Sequence, residues 1–369
     1  SSLGLYYRGA LPAPPPCRPF ARVPLSTLAG ASALTRLCAM PAGIVAVDSN
    51  ATTHTFRWPV THSAGRNPVL STQHASMLAL PASDASKSSC SALLPSADGR
   101  GCLLLQGGQI DGGLVVWRSE GGPPVARIIE HAGIITCLGH SSHGGLLITG
   151  AADATVILWA RAQNEGGRPV ATRALRGHVQ ALTCVAVCSE MGVAASGACD
   201  GAVLLHSLSG ELLRSLRAPG KQPVAHLQLS ALHLRLVIGT ASSASLHICS
   251  LSGRWLYAVH TPSAVRCTLV ADDGTLFAGC VKGELMAWGL ITGGTSALFA
   301  PATAGISSLA CSEADLLCGT QEGEMLAYAL DPEVIHGRAC RDCSNWALAE
   351  PLREAPVHTS RPLVRAPPC

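Results

Sequence analysis

The stretch Asp153-Ala-Thr-Val-Ile-Leu-Trp159 joins a tight turn to a short apolar strand that ends in a large side chain. The same frame places Asp111 six residues before Trp117, Asp200 six before His206, Lys282 six before Trp288 and Glu322 six before Tyr328. Degenerate copies run from Asn50 to Phe56 and from Ser243 to Cys249. The seven copies end at 56, 117, 159, 206, 249, 288 and 328, so after a first gap of 61 the intervals are 42, 47, 43, 39 and 40. A repeat of roughly forty residues built from short strands is the mark of propeller blades. The chain is therefore expected to be all-β, with seven blades closed into one ring, and to work by binding rather than by chemistry.

Composition agrees with that fold. The chain has 369 residues, and seven blades of about forty account for most of them as one domain. Hydrophobic residues make up 48% and charged residues only 13%, so a large core and a bland surface are expected. No run of eighteen apolar residues marks a membrane span. The N-terminal SSLGLYYRGALPAPPPC lacks the basic and apolar regions of a signal peptide. It also begins with Ser, which suggests a piece of a longer chain. Of sixteen cysteines, Cys102, Cys137, Cys184, Cys188, Cys249 and Cys267 lie in apolar strand-like runs, where Cys acts as a small hydrophobe. With no disulfide-like spacing, a reducing, cytoplasmic setting is expected. The net charge of +3 sits in no cluster, which gives no ground for nucleic-acid binding.

Residues 1–30 are Pro-rich and read as a flexible linker, with 20–29 (FARVPLSTLA) the candidate outer strand that closes the last blade. Pro24 is tolerable there because an outermost strand needs no donor on its free edge. The propeller spans 31–330. Each repeat reads as three short strands followed by a link, as in IITCLGH, LLITGAAD and TVILWA between 134 and 160. Residues 59–87 read as an inserted surface loop, with an outer strand near Pro68 to Thr72. Residues 331–369 lose the repeat and read as a disordered tail.

One unit holds a complete polar set: His131, Thr149, Asp153 and Trp159. WD40 repeats hydrogen-bond a His before the first strand, a hydroxyl on the second, an Asp in the turn and a Trp on the third. The next unit offers His178, Ser196 and Asp200, with His206 in the Trp position. Such a buried Asp must find donors, so the set is read as structural blade network rather than catalytic machinery. A His131–Asp153 base would need an exposed nucleophile, and Thr149 lies on a central strand. No G-x-S-x-G elbow, phosphate loop or H-E-x-x-H helix occurs, and glycines are assigned to turns. Cys340 and Cys343 have the spacing of half a zinc site but lack a second pair, so no metal and no cofactor is expected.

Residues 174–219, ALRGHVQALTCVAVCSEMGVAASGACDGAVLLHSLSGELLRSLRAP, closely resemble a blade in the C-terminal WD40 domain of BEACH proteins, the group of neurobeachin and the lipopolysaccharide-responsive beige-like anchor protein. That blade, too, carries a His where most repeats have Trp. Residues 243–259, SASLHICSLSGRWLYAV, are similar to the family's next blade, and 129–159 to the preceding one. No BEACH or PH-like domain lies in this chain. The resemblance implies a non-enzymatic WD40 scaffold of a BEACH-type protein, acting in vesicle trafficking, membrane dynamics or autophagy. It implies proteins docking on the propeller loops, upstream BEACH and PH-like neighbours in the full-length chain, and an indirect, peripheral association with endomembranes. No small-molecule substrate is implied. The alternative is a substrate receptor of a ubiquitin ligase or another WD40 signalling adaptor. The Trp-Asp-x-Arg common in such receptors is replaced here by Trp159-Ala160-Arg161 and Trp117-Arg118-Ser119.

Overall fold

The structure is a computed structural model. It describes residues 19–330 except 20, 25–32, 41–42, 50–51, 58–70, 78–89, 96–101, 120–121, 142–144, 162–167, 242, 292, 300–301 and 313–314. Seven four-stranded antiparallel sheets follow one another along the chain as blades. Blade one is Leu34–Met40, Gly43–Asp48, Thr52–Arg57 and Ser71–Met77. Blade two is Ser91–Pro95, Cys102–Gln106, Gly113–Arg118 and Ala126–Ile129. Blade three is Ile135–His140, Leu146–Ala151, Val156–Arg161 and Pro169–Leu175. Blade four is Leu182–Cys188, Val193–Ala198, Ala202–Ser207 and Leu212–Arg217. Blade five is Val224–Ser230, Arg235–Thr240, Ser245–Ser250 and Trp255–His260. Blade six is Val265–Val270, Thr275–Cys280, Leu285–Gly289 and Thr295–Leu298. Blade seven joins Ile306–Cys311, Asp315–Thr320 and Glu324–Ala329 to Ala21–Pro24.

The third strand of every blade ends with the recurring turn-and-strand frame. The three-strand unit is too short by one: in blades one to six the link carries an outer fourth strand, and in blade seven Ala21–Pro24 supplies it. Where these strands face solvent they escape the apolar pattern, and Leu212–Arg217 is exposed at five of six positions. Second strands show the opposite extreme: Val193–Ala198, Thr275–Cys280 and Asp315–Thr320 are buried throughout. A sheet covered on both faces needs apolar side chains on both, which explains their continuous runs. The outer strand expected near Pro68 to Thr72 is Ser71–Met77, paired with Thr52–Arg57, and the remainder of the 59–87 insertion lies outside the described residues. So do residues 1–18 and the tail from 331.

The ring is joined by two features that the turn assignment of glycine overlooks. Gly107, Gly150, Gly197, Gly239, Gly279 and Gly319 stand at or just after the end of second strands, outside the positive-φ set. A Cβ on Gly197 would lie 2.8 Å from Cys184 Sγ and from Val224 Cβ; one on Gly279 would lie 2.6 Å from Ile306 Cγ2. Except at Gly239, whose close neighbours Leu246 and His226 belong to its own blade, glycine is needed because the next blade's innermost strand packs directly on the backbone. At six of the seven joints the innermost strand then reaches across with a side chain that bonds the neighbour's first carbonyl. Arg36 Nε donates to the Ser91 carbonyl (2.6 Å), Thr136 to Leu182 (2.6 Å) and Thr183 to Val224 (2.5 Å). His226 Nε2 donates to Val265 (3.2 Å), and Cys267 Sγ sits 3.8 Å from the Ile306 carbonyl. Cys184 and Cys267 are therefore weak donors at joints as well as small hydrophobes.

Ring closure uses both chain ends. Ala21–Pro24 pairs with Glu324–Ala327, within the expected 20–29 segment, and Pro24 occupies the outermost strand. At the same joint the Ser307 and Ser308 hydroxyls both donate to the Leu34 carbonyl, at 2.5 and 3.1 Å, across 273 and 274 residues of sequence.

Candidate functional site

Blade three brings its four polar residues together. Trp159 Nε1 donates to Thr149 Oγ1 at 2.9 Å, and Thr149 Oγ1 lies 2.7 Å from His131 Nε2. On the other side of the ring, His131 Nδ1 lies 3.0 Å from Thr155 Oγ1, whose hydroxyl donates to Asp153 Oδ1 at 2.6 Å. Donor counting then fixes the direction. Thr155 uses its proton on Asp153, so it accepts from His131 Nδ1–H, and His131 Nε2 accepts from Thr149. A one-way chain runs Trp159 to Thr149 to His131 to Thr155 to Asp153. Asp153 Oδ2 also accepts the Ala132 and Gly133 amides, at 2.8 and 3.2 Å, tying the turn to the inter-blade loop. Thr155 is the member that sequence reasoning missed, although it follows Asp153 by two residues.

Blade four departs from this pattern at two links. His178 Nε2 keeps its hydroxyl partner, Ser196 Oγ, at 2.8 Å. His206 does not take the Trp role on Ser196; its Nε2 donates to the Arg176 carbonyl at 3.1 Å. Asp200 does not complete the chain either. Ala202 stands where Thr155 does, so the bridging hydroxyl is missing, and Asp200 Oδ2 instead meets Arg217 Nη1 at 3.4 Å. His178 Nδ1 and His206 Nδ1 are buried without a partner. The shared element is the turn itself. Asp111 Oδ1, Asp153 Oδ1, Asp200 Oδ1 and Ser243 Oγ each accept the amide two residues on, at 2.9–3.0 Å. That side-chain-closed turn supports the six-residue frame in these four blades.

Electrostatics follow burial. Burial pushes the Asp153 carboxyl up, but the Thr155 hydroxyl and amide, with His131 and the Ala132 amide, hold it below the usual carboxylate range. Burial holds His131 below the usual imidazole range against the pull of Asp153, and depresses His178, His206, His226 and His247 too. The sign is the same for all five. Below the ordinary value of 6.5 the unfolded chain binds protons that the folded histidines refuse, so stability falls as pH drops. The urea midpoint is expected to fall steadily from pH 7.5 to pH 5.5; a flat profile would remove the burial argument.

Replacing Asp153 by Ala strands the Thr155 hydroxyl and the amides of Ala132 and Gly133. Loss of a half-buried acceptor of this kind costs about 1 kcal/mol. An unchanged thermal midpoint would show that the turn does not depend on the carboxylate.

Thr149 is 0% exposed and His131 4%, so no reactant reaches either. Among the described residues no group of three His, Cys, Asp or Glu is placed to hold a metal ion, and the Cys340–Cys343 pair lies outside them. The twelve described cysteines are free thiols, with burial pushing Cys137 and Cys267 up to about 12. No described helix is long and apolar enough to cross a membrane. What the turn end of the ring does offer is apolar side chains in the open. Ile110, Val179 and Val281 are 77%, 85% and 43% exposed, on turns and inter-blade loops at the end that holds Asp153.

The ring, its blade repeat and its turn chemistry define a WD40 β-propeller, and comparison with known proteins narrows the class. Residues 122–160 match the WD domain, G-beta repeat, and residues 167–337 match the Neurobeachin beta propeller domain. BEACH domain-containing protein B of Arabidopsis thaliana is 24% identical over 231 residues, which cover 57% of this chain and 9% of that protein. The chain thus spans about a tenth of that relative's length. The solved WD40 beta propeller domain of Doa1 superposes with a TM-score of 0.62 at 14% identity, over 86% of this chain and 98% of that one, a likeness of fold alone. Together these matches support a BEACH-associated WD40 propeller.

Proposed function

We propose that this chain is a non-enzymatic protein-interaction scaffold, the WD40 part of a BEACH-type protein that works in the cytoplasm at endomembranes, in vesicle trafficking, membrane dynamics or autophagy. One observation carries the reading. The blade-three polar set at the turn end is consumed by internal hydrogen bonds, whereas Ile110, Val179 and Val281 at the same end are open. Apolar side chains presented on rigidly held turns suit protein docking better than chemistry. The blade network of His131, Thr149, Asp153, Trp159, His178 and Ser196 keeps those turns in place, with Asp200 acting through Arg217. The match of residues 167–337 to a neurobeachin-type propeller supports the trafficking context.

The test uses the whole chain and isolated endomembrane vesicles. It is expected to sediment with them, to lose binding when vesicle proteins are removed by protease, and to bind at least about tenfold more weakly as Val179→Glu. Equal binding to protein-free liposomes, or turnover in a hydrolase screen, would overturn the reading. The ligase-receptor alternative gains no support from Arg161, whose Nη1 is turned to the Pro95 carbonyl at 2.7 Å.

A further inference from the structure

The outer strand of blade four, Leu212–Arg217, continues one residue beyond the HSLSGELLRSL stretch of 206–216, yet the ring makes little use of it. Leu212 is 49% and Leu213 37% exposed, and the strand is open at five of six positions. The outer strand of blade five is half-buried or buried in all but its last residue, and its Tyr257 hydroxyl is tied to the Leu290 carbonyl at 2.6 Å. The free edge of blade four also has unmet backbone groups. The Ala218 amide donates inward to the Gly201 carbonyl at 2.8 Å, and the antiparallel ladder alternates from there. Leu216 and Arg214 therefore turn their backbone groups into the sheet, and Arg217 and Ser215 turn theirs out.

Two turns of one design flank this strand. In Ser207–Glu211 the Ser207 hydroxyl meets Ser209 Oγ at 2.7 Å and accepts the Glu211 amide at 3.0 Å. In Ser250–Arg254 the Ser250 hydroxyl meets Ser252 Oγ at 2.7 Å and accepts the Arg254 amide at 3.2 Å. Gly210 and Gly253 close the turns at φ 97° and 89°. Each turn presses against the outer strand of the blade before it. A Cβ on Gly210 would lie 2.7 Å from Arg173 Cδ, and one on Gly253 would lie 2.8 Å from Leu216 Cδ2. Arg173 and Arg254 thus stand on either side of the strand, with Arg214 on it. All three are exposed, and none pairs with a carboxylate among the described residues. Arg217 is shared with Asp200, and Glu211 is the acid at the strand's start.

We propose that this edge accepts an extended, acidic segment of a partner protein as a fifth strand of blade four. The partner's main chain would bond the outward groups of Ser215 and Arg217, its carboxylates would meet Arg173, Arg214 and Arg254, and its apolar residues would cover Leu212 and Leu213. Main-chain bonds give such strand addition its affinity, and opposite charge selects the partner. A bilayer offers anions but no strand, so backbone protection separates the two. The inference rests on the scaffold reading but uses the rim rather than the turn end.

The experiment takes the whole chain and two fluorescent peptides, one alternating Glu with Val and one alternating Lys with Val. The acidic peptide is expected to bind at least about tenfold more tightly and to slow hydrogen exchange at the Ser215 and Arg217 amides. Ser215→Pro removes an outward donor and is expected to abolish binding. Arg214→Glu, a change on an exposed side chain that leaves the fold intact, is expected to weaken it about tenfold or more. Equal binding of both peptides, no amide protection, or full binding by a natively melting Ser215→Pro would overturn the proposal. If peptide binding fails while vesicle binding through Val179 survives, the rim proposal alone falls. The reverse outcome removes the turn end as the docking face and the endomembrane context, and leaves the rim proposal standing.

Discussion

Trp159→Ala is expected to lower the free energy of unfolding by about 3–5 kcal/mol, the usual cost of emptying a fully buried large aromatic site. Trp159 is 0% exposed and belongs to a cluster that spans two blades, with Leu103, Leu114 and Val116 on one side and Leu147 and Ile157 on the other. The substitution opens a void at the joint and takes one donor from Thr149. Trp159→Phe separates the two effects: it keeps most of the volume and is expected to cost about 1 kcal/mol for the lost indole hydrogen bond. Urea denaturation of the three proteins checks both figures. If the alanine variant costs no more than the phenylalanine one, Trp159 is a hydrogen-bond donor and not a wedge between blades.

Gly319→Val is the second large effect, and it acts at the ring's closing joint. A Cβ at 319 would stand 2.7 Å from Leu34 Cβ and would also collide with the Ser308 hydroxyl that donates to the Leu34 carbonyl. Neither neighbour is the loose end of a long side chain. Overpacking of this kind costs about 1–3 kcal/mol, and here it strains a contact that joins blade seven to blade one. The expected signature is a lowered urea midpoint together with faster hydrogen exchange in Leu34–Met40 and Ile306–Cys311. Gly319→Ala should show the same pattern at smaller amplitude. Normal stability of the valine variant would mean that the blades do not pack as closely as Gly319 implies.

The frame of turn and strand was legible because its cause is local. At Asp111, Asp153, Asp200 and Ser243 a carboxylate or hydroxyl closes the turn onto the amide two residues on, and the third strand then delivers Trp117, Trp159, His206 or Cys249 to the core. Apart from the closing strand and the one beginning at Ser71, the outer strands were not legible, since a strand such as Leu212–Arg217 faces solvent and carries no alternation to read. The joints were hidden for a different reason. Arg36, Thr136, Thr183, His226 and Ser308 share no chemistry in sequence beyond a donor, and their acceptors are backbone carbonyls, which every residue has. The blade-four set shows the limit of analogy. His178 and Ser196 pair as their spacing implies, but Ala202 lacks the hydroxyl that would carry the chain to Asp200, and His206 reaches a carbonyl that no side-chain pattern announces.

The closing strand has a mechanical consequence. Ala21 lies opposite Ala327, and the chain leaves blade seven just beyond, after Ala329. Tension applied through both ends would therefore meet at one corner of one sheet, pulling two antiparallel neighbours apart across their hydrogen bonds. That load peels rungs one after another, beginning at Ala21, rather than shearing them all together. A ring held by interlocked joints would then open readily to a tug applied before Ala21 and after Ala329, with blade seven giving way first.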